Sequence, residues 1–247
     1  MNTHTRVKCA VCGSTSLNPV VLTPEQEIAR QNVPEHLPYE QCVRCGLWLQ
    51  FPPPPFQYEA DDKLGNMKAN AQSEAAHFEW LASRLYKSYK PKSVLDIGCS
   101  YPLFLHFMLT KHDVKSVLGI DGSPYSEEYG KELGVPMGVA DFMEYDFDRK
   151  YDLISMTHII EHFHNPLPVV MKVKRLLNPG GVLFVRTPLN DTTGLTRWHL
   201  TEHHFKVHPI VFGRSSLKML MEMAGMASVY EAVSDGVGHG DWDFKAK

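Results

Sequence analysis

Between residues 93 and 186, short apolar runs alternate with helix-like stretches, and no other feature of the chain limits its fold so tightly. Residues 93–97 (SVLDI), 116–120 (SVLGI), 152–157 (DLISMT) and 182–186 (VLFVR) have the length and composition of buried strands. Residues 103–110, 125–133 and 166–177 are the intervening helices; the last carries an apolar stripe and stops at Asn178-Pro179-Gly180-Gly181. Such alternation implies a doubly wound, mostly parallel sheet, because each parallel crossover needs a helix and the helices cover both faces.

The flanks extend this plan. Upstream, residues 69–89 are predicted helical, since Phe78, Leu81, Leu85 and Tyr86 recur at helical spacing and Pro91 closes the run. Downstream, a helix over 215–224 ends at Gly225. Two short strands, 227–233 and 241–246, then enclose a glycine-rich turn and predict a C-terminal antiparallel hairpin that closes the sheet.

Acids stand at the strand ends. In open sheets of this kind, ligands bind beyond the carboxyl ends of the strands, where the strand order reverses. Asp96 ends the first strand and Gly98 follows, a residue that lets a ligand approach the backbone. Asp96 can accept a hydrogen bond from a cationic amino group. Asp121, in Gly119-Ile120-Asp121-Gly122-Ser123, ends the next strand and can take both hydroxyls of a ribose. Asp141 is placed to read an adenine amino group, with Phe142 beside it to stack on the ring. The glycine pattern that cradles a dinucleotide pyrophosphate is missing, which argues against a nicotinamide cofactor.

Taken in order, VLDIGCS, GIDGS, the Ala140-Asp141 pair and LLNPGGVLFVRTP resemble the motif series of class I S-adenosylmethionine-dependent methyltransferases, from about residue 93 to the C-terminus. The resemblance implies an α/β, Rossmann-like fold with S-adenosylmethionine as cofactor. It implies that Asp96 and Gly98 face the methionine part, Asp121 the ribose, and Asp141 with Phe142 the adenine. Cys99, Gly122, Ser123 and Thr157 complete the expected cofactor contacts. Cys99 is otherwise read as small-residue packing, not as a nucleophile. One departure stands out: Ser100 and Pro102 occupy positions where the family has glycines, so the turn has to close without left-handed geometry at Pro102.

The first fifty residues read differently. Four of the five cysteines form two Cys-x-x-Cys pairs, Cys9 with Cys12 and Cys42 with Cys45, and each pair is followed by a glycine, Gly13 and Gly46. Two such pairs can close a thiolate tetrahedron around zinc, and a site with four protein ligands is structural. The proline run at 52–55 favours a stiff spacer. The expected organisation is therefore a small zinc ribbon at 1–51, a proline-rich linker at 52–68 and a methyltransferase domain at 69–247. The ribbon, the linker FPPPPFQY and His77-Phe78 resemble the N-terminal part of sugar C-methyltransferases, in which such a module helps cover the substrate side. Those enzymes carry a further C-terminal domain, which this chain is expected to lack. The substrate pocket of this chain is then expected from the ribbon, the helix after residue 69 and the loop 187–212, with Tyr58, Tyr101, Arg197 and Trp198 as lining residues.

Thirteen histidines include two clusters, one from His158 to His164 and one from His199 to His208. Neutral imidazole is suited to take a proton near pH 7, and methyl transfer to a hydroxyl or a carbon needs such a base. His162 is the expected base or substrate ligand. Thr201-Glu202-His203 resembles a Glu-His dyad of the sugar enzymes, which implies catalytic roles for Glu202 and His203. The first cluster also matches the zinc-hydrolase pattern His-x-x-Glu-His, but that pattern needs a long helix and this segment lies in a strand-to-helix turn. A catalytic metal shared by both clusters is a further alternative.

The expected function is methyl transfer to a small molecule, chiefly a sugar, nucleotide sugar or glycan precursor. Another metabolite or natural product, or a non-catalytic cofactor-binding module that docks through its ribbon, are the alternatives. A net charge of −3 with no basic block argues against a nucleic-acid partner. No apolar run long enough to span a membrane and no secretory h-region occur in the sequence, so a cytoplasmic location is expected. The sequence does not determine the oligomeric state.

Overall fold

A computed structural model describes residues 7–29, 37–54, 64–198, 202–234 and 238–247; at 28–29, 64–67, 196–198, 202–204 and 234 it describes the backbone only. The elements in chain order are β1 (Leu17–Pro19), α1 (Pro24–Ala29), β2 (Tyr39–Cys42), β3 (Trp48–Gln50), α2 (Leu64–Ser73), α3 (Ala75–Tyr89), β4 (Ser93–Ile97), α4 (Leu103–Lys111) and β5 (Ser116–Asp121). They continue with α5 (Ser126–Leu133), β6 (Met137–Val139), β7 (Tyr151–Thr157), a 3-10 turn (Ile160–His162), α6 (Pro166–Leu176), β8 (Leu177–Pro188) and α7 (Thr193–Trp198). Last come α8 (Glu202–Val207), β9 (Ile210–Val211), α9 (Arg214–Met223), β10 (Met226–Ser234) and β11 (His239–Ala246).

The main sheet has the order β10-β11-β8-β7-β4-β5-β6. β6, β5, β4, β7 and β8 run parallel, while β11 pairs antiparallel with both β8 and β10. This is the predicted doubly wound sheet with its closing hairpin. Alternate side chains of each strand enter different cores, as the pleat requires. Val94, Leu153, Val182 and Phe184 pack with Leu81 and Leu85 of α3 and Leu105 and Met108 of α4. Leu95, Ile97, Ile154 and Val185 pack with Val170 of α6 and Leu217 and Leu220 of α9. Order reverses at β4, which lies between β5 and β7, so the carboxyl end of β4 opens the crevice.

Three expectations shift. The helix predicted over 69–89 is two helices, and the first begins at Leu64, inside the predicted spacer. At the break, Ser73 Oγ donates to Asn70 O at 2.7 Å, a side-chain bond that competes with the helical ladder and bends it. Asn178-Pro179-Gly180-Gly181 ends α6 but does not stay a loop. β8 already starts at Leu177 and takes in the extra residues where its register to β7 shifts between Tyr151 and Leu153, with Gly180 at φ +78. The N-terminal region also contains a helix. Thr23 and Gln26 cap α1 reciprocally: Gln26 N donates to Thr23 Oγ1 at 3.3 Å and Thr23 N to Gln26 Oε1 at 3.0 Å.

The second sheet, β1-β2-β3-β9, contains a strand from the far end of the chain. β9 pairs with β3 through Trp48↔Val211 and Leu49↔Ile210. Buried Gln26 donates to Asn190 O and Thr192 O, and Asn190 Nδ2 donates to Gly46 O and Val211 O. The N-terminal ribbon is thus hydrogen-bonded into the segment that follows β8.

Candidate functional site: a cofactor crevice, a thiolate cluster and an imidazole group

The crevice forms at the tips of β4 and β5. Asp96 is buried, and Ser155 Oγ donates to its Oδ1 at 2.6 Å. Burial pushes its carboxyl up to about 7, against the Ser155 hydrogen bond and with help from the charge of Asp121. Asp121 is buried too; its Oδ2 accepts from Ser100 N and its Oδ1 from Ser123 N, both at 2.8 Å. The carboxylate therefore pins the turn after β4 and the turn after β5 together.

The turn closes with positive φ at Gly98 (+69) and at Ser100 (+48), while Pro102 stays at −82. Left-handed geometry has moved to Ser100, which is how the chain dispenses with the family's later glycines. A Cβ on Gly98 would stand 2.0 Å from Ile159 Cδ1, so a larger residue would have to displace that side chain and also adopt a backbone conformation that favours glycine. Cys99 is turned onto Met137, Sγ to Sδ 3.8 Å, and onto Gly119; burial pushes its thiol pKa up, which suits packing and not nucleophilic attack. Gly122 is exposed and Thr157 half-buried at the end of β7. Asp141 is exposed, with Oδ1 accepting from Met143 N at 2.7 Å. Phe142 is buried against Phe147, 5.8 Å between rings, with Lys172 Nζ over its face at 5.1 Å. Its ring belongs to the core as much as to the crevice.

The four ribbon sulfurs converge. Cys9 and Cys45 Sγ are 3.5 Å apart, Cys12 and Cys42 Sγ 3.4 Å, and all four lie within 4.8 Å of one another. Each pair sits in a turn in which a glycine donates back to the first cysteine: Gly13 N to Cys9 O at 3.0 Å and Gly46 N to Cys42 O at 2.8 Å, with both glycines at positive φ. Sulfurs about 2.3 Å from a shared zinc fit this spacing, so the donor set suits a structural zinc ion.

The two histidine clusters meet. The imidazoles of His162 and His208 are 4.7 Å apart, and Glu161 is buried beside them with Thr187 Oγ1 donating to its Oε2 at 3.0 Å. His162 Nδ1 lies 2.9 Å from Val207 O. A carbonyl only accepts, so Nδ1 is the donor, and in the neutral ring the lone pair lies on Nε2. The ribbon fixes the other cluster: Tyr39 Oη and Gln50 Nε2 both donate to His208 O, at 2.8 and 3.0 Å. The segment Ile160–His162 is a short 3-10 turn, which removes the long helix that a zinc hydrolase requires. The backbone of Glu202 and His203 opens α8, but their side chains lie outside the described residues, as do Tyr58 and the side chains of Arg197 and Trp198. Tyr101 is buried, edge-on to Tyr129, with Oη donating to Glu132.

Two features were not read from the sequence. Arg186, on β8, has Nη1 2.5 Å from His77 Nε2 and Nη2 3.3 Å from His239 Nδ1. Burial and the Arg186 charge push the His77 imidazole down to about 4, so it accepts from the guanidinium as a neutral ring. A groove of about 490 Å³ runs between the ribbon and the segment carrying His164, lined by Leu49, Phe51, Pro53 and Ile210 with Lys8 at its side. Neither leaves a periodic signal, since both are assembled from distant segments.

Strand-tip acids around a glycine turn, on a sheet of this order, define a nucleoside-cofactor-binding domain of the methyltransferase type. Residues 68–231 match the family described as "Methyltransferase domain", and the chain belongs to it. Ubiquinone biosynthesis O-methyltransferase of Pasteurella multocida (strain Pm70) is 26% identical over 156 residues, 56% of this chain and 62% of that protein. tRNA U34 carboxymethyltransferase of Campylobacter concisus (strain 13826) is 29% identical over 130 residues, 49% of this chain and 44% of that protein. The chain thus spans less than two thirds of the length of either relative. Among solved structures, an S-adenosylmethionine-dependent methyltransferase from Clostridium acetobutylicum ATCC 824 superposes with a TM-score of 0.60 at 10% identity, covering 74% of this chain and 99% of that one. The plantazolicin methyltransferase BpumL, in complex with a substrate analogue and S-adenosylhomocysteine (SAH), gives 0.58 at 15% identity, covering 73% and 89%. These likenesses confirm the fold. S-adenosylmethionine is the cofactor of the class, and buried Asp96, buried Asp121 and the left-handed turn at Gly98 between them fit it. Among the described residues no helix is long and apolar enough to cross a membrane.

Proposed function

We propose that the chain transfers a methyl group from S-adenosylmethionine to a small-molecule acceptor, a sugar, nucleotide sugar or glycan precursor, at oxygen or carbon. The observation that carries this reading is the pair of buried carboxylates, Asp96 and Asp121, on adjacent strand tips around the Gly98 turn. The cofactor, when bound, supplies an electrophilic methyl group on a sulfonium. Asp96 holds the amino end and Asp121 the ribose, with Gly122 and Ser123 beside it. Asp141 and Phe142 flank the adenine; Cys99 and Thr157 border the crevice through their backbone.

His162 takes the acceptor proton at Nε2, the nitrogen left basic by the Val207 hydrogen bond. Glu202 and His203 on α8 complete the proposed reacting groups. The ribbon, held to His208, borders the acceptor side, which favours a sugar precursor as in the enzymes whose ribbon it resembles. A phenolic metabolite is the second reading, favoured by the relatives named for ubiquinone biosynthesis. RNA belongs in the test as well, because another relative is named as a tRNA enzyme.

The experiment is SAH release with nucleotide sugars, phenols and tRNA offered in parallel. Turnover with a nucleotide sugar that His162→Ala abolishes supports the first reading. Cofactor binding with no turnover of any acceptor leaves the ribbon-docking module in its place.

A further inference from the structure

We infer that Glu161, His162 and His208 form a second metal site, one that takes a divalent cation and is distinct from the four-thiolate cluster. One ligand atom from each residue lies within 4.8 Å of the others. Glu161 and His208 are 1% and 8% exposed. Two imidazoles and one carboxylate make up a ligand set used by catalytic zinc and by non-haem iron(II), and it leaves coordination positions for a water or a substrate oxygen.

A separate observation points to a ligand. Among the described residues, Glu161 Oε1 is buried and accepts no hydrogen bond of good geometry; the nearest nitrogen, His158 Nδ1, stands 3.5 Å away. A buried carboxylate oxygen with only a long contact is unfavourable, and a cation would satisfy this one. The outer contacts are also those that metal ligands make. Thr187 Oγ1 steadies Oε2, and His162 donates Nδ1–H to Val207 O, which leaves Nε2 as the nitrogen to bind a metal. The competitor is His158, whose Nδ1 stands 3.5 Å from Oε1, an ion-pair distance when that ring is protonated.

The site adjoins the cofactor turn, because Ile159, two residues before Glu161, closes over Gly98. Its role rests on the methyl-transfer reading: with the cation bound, His162 Nε2 would be a ligand and not the base assigned above, and the acceptor hydroxyl, positioned and acidified by the cation, would give its proton to solvent water as the methyl group is transferred. Cation binding itself does not depend on that reading.

Zinc is a stringent probe, since it binds nitrogen and oxygen donors more tightly than manganese or iron(II). The full-length chain, dialysed against zinc and freed of loose metal by gel filtration, is expected to hold two zinc ions per chain by elemental analysis. Glu161→Gln, His162→Gln and His208→Gln, prepared separately, are each expected to hold one, and that one should be released by a thiol-modifying reagent. The retained thiolate zinc reports that each variant is folded. A single zinc in the unaltered chain, or two in all three variants, overturns the site. Titration of the same samples with SAH tests the cofactor crevice independently, so failure of the metal site and failure of the methyl-transfer reading give different results.

Discussion

Gly98 and Ile159 interlock across the crevice: the space that a Cβ on Gly98 would need is filled by the Ile159 side chain, 2.0 Å away. The turn after β4 and the segment after β7, which carries Glu161 and His162, are fitted to each other at that point. Gly98→Ala adds left-handed strain at φ +69 to this clash. The expected result is a loss of about 1–3 kcal/mol of stability and SAH binding at least roughly tenfold weaker. Thermal unfolding and calorimetry check both. Gly98→Ala combined with Ile159→Ala should recover part of the binding, because it removes the clash and leaves the strain.

Asp96 sets a pH dependence. Its carboxyl lies near 7 in the fold against a usual value of 3.8, so folding takes up a proton between those values. The cofactor-free protein therefore loses stability as pH rises from about 4 to about 7, then levels off. Cofactor binding runs the other way, because a cationic amino group prefers the carboxylate. Affinity for SAH is expected to rise about tenfold per pH unit from about 5 towards 7 and to flatten above that. Calorimetry in buffers of different ionisation heat should show proton release near pH 6, and Asp96→Asn should abolish the slope. A flat profile from pH 5 to 7 contradicts the assignment.

The thiolate cluster acts on the site through structure. Tyr39 and Gln50 hold the His208 carbonyl, and β3 pairs with β9 immediately after it. Cys42→Ser is expected to lower the melting temperature by about 10 °C, the effect of a few kcal/mol in a chain of this size. Methyl transfer should fall more than about tenfold, while SAH affinity changes less than about threefold, because the crevice lies in the other sheet. Equal loss of both would mean that the ribbon supports the crevice directly.

The pair of part-buried Arg84 and buried Asp243 locks the closing hairpin to α3. Nη1 and Nη2 donate to the two carboxylate oxygens at 2.8 and 3.0 Å, and Tyr89 Oη donates at 2.6 Å. Asp243→Ala leaves the part-buried guanidinium without its carboxylate, and the expected cost is no more than about 3–5 kcal/mol, the range for a fully buried pair. Chemical denaturation should show that loss, with SAH binding retained at temperatures below the transition.

Strand segments, strand-tip acids and cysteine pairs could all be read from the sequence because each is local: a period, a terminal residue, a spacing. What could not be read depends on distant partners. β9 is two residues long and becomes a strand only because Trp48 and Leu49 lie beside it. His208 belonged to one histidine cluster and His162 to another, and only the fold brings the rings to 4.7 Å. Phe142 follows the expected acid, yet its ring is held in the core by Phe147 and Lys172, a neighbourhood that no motif encodes. Thr23 and Gln26 did leave a signal for α1, a capping box just ahead of a short helix.

The central claim is that carboxylates on neighbouring strand ends hold a sulfonium nucleoside. A crystal soaked with SAH tests it most directly. The account predicts density between Gly98 and Asp141, with both ribose hydroxyls on Asp121 and the amino group at Asp96. A crevice without density at saturating concentration, or the nucleoside bound elsewhere on the protein, contradicts it.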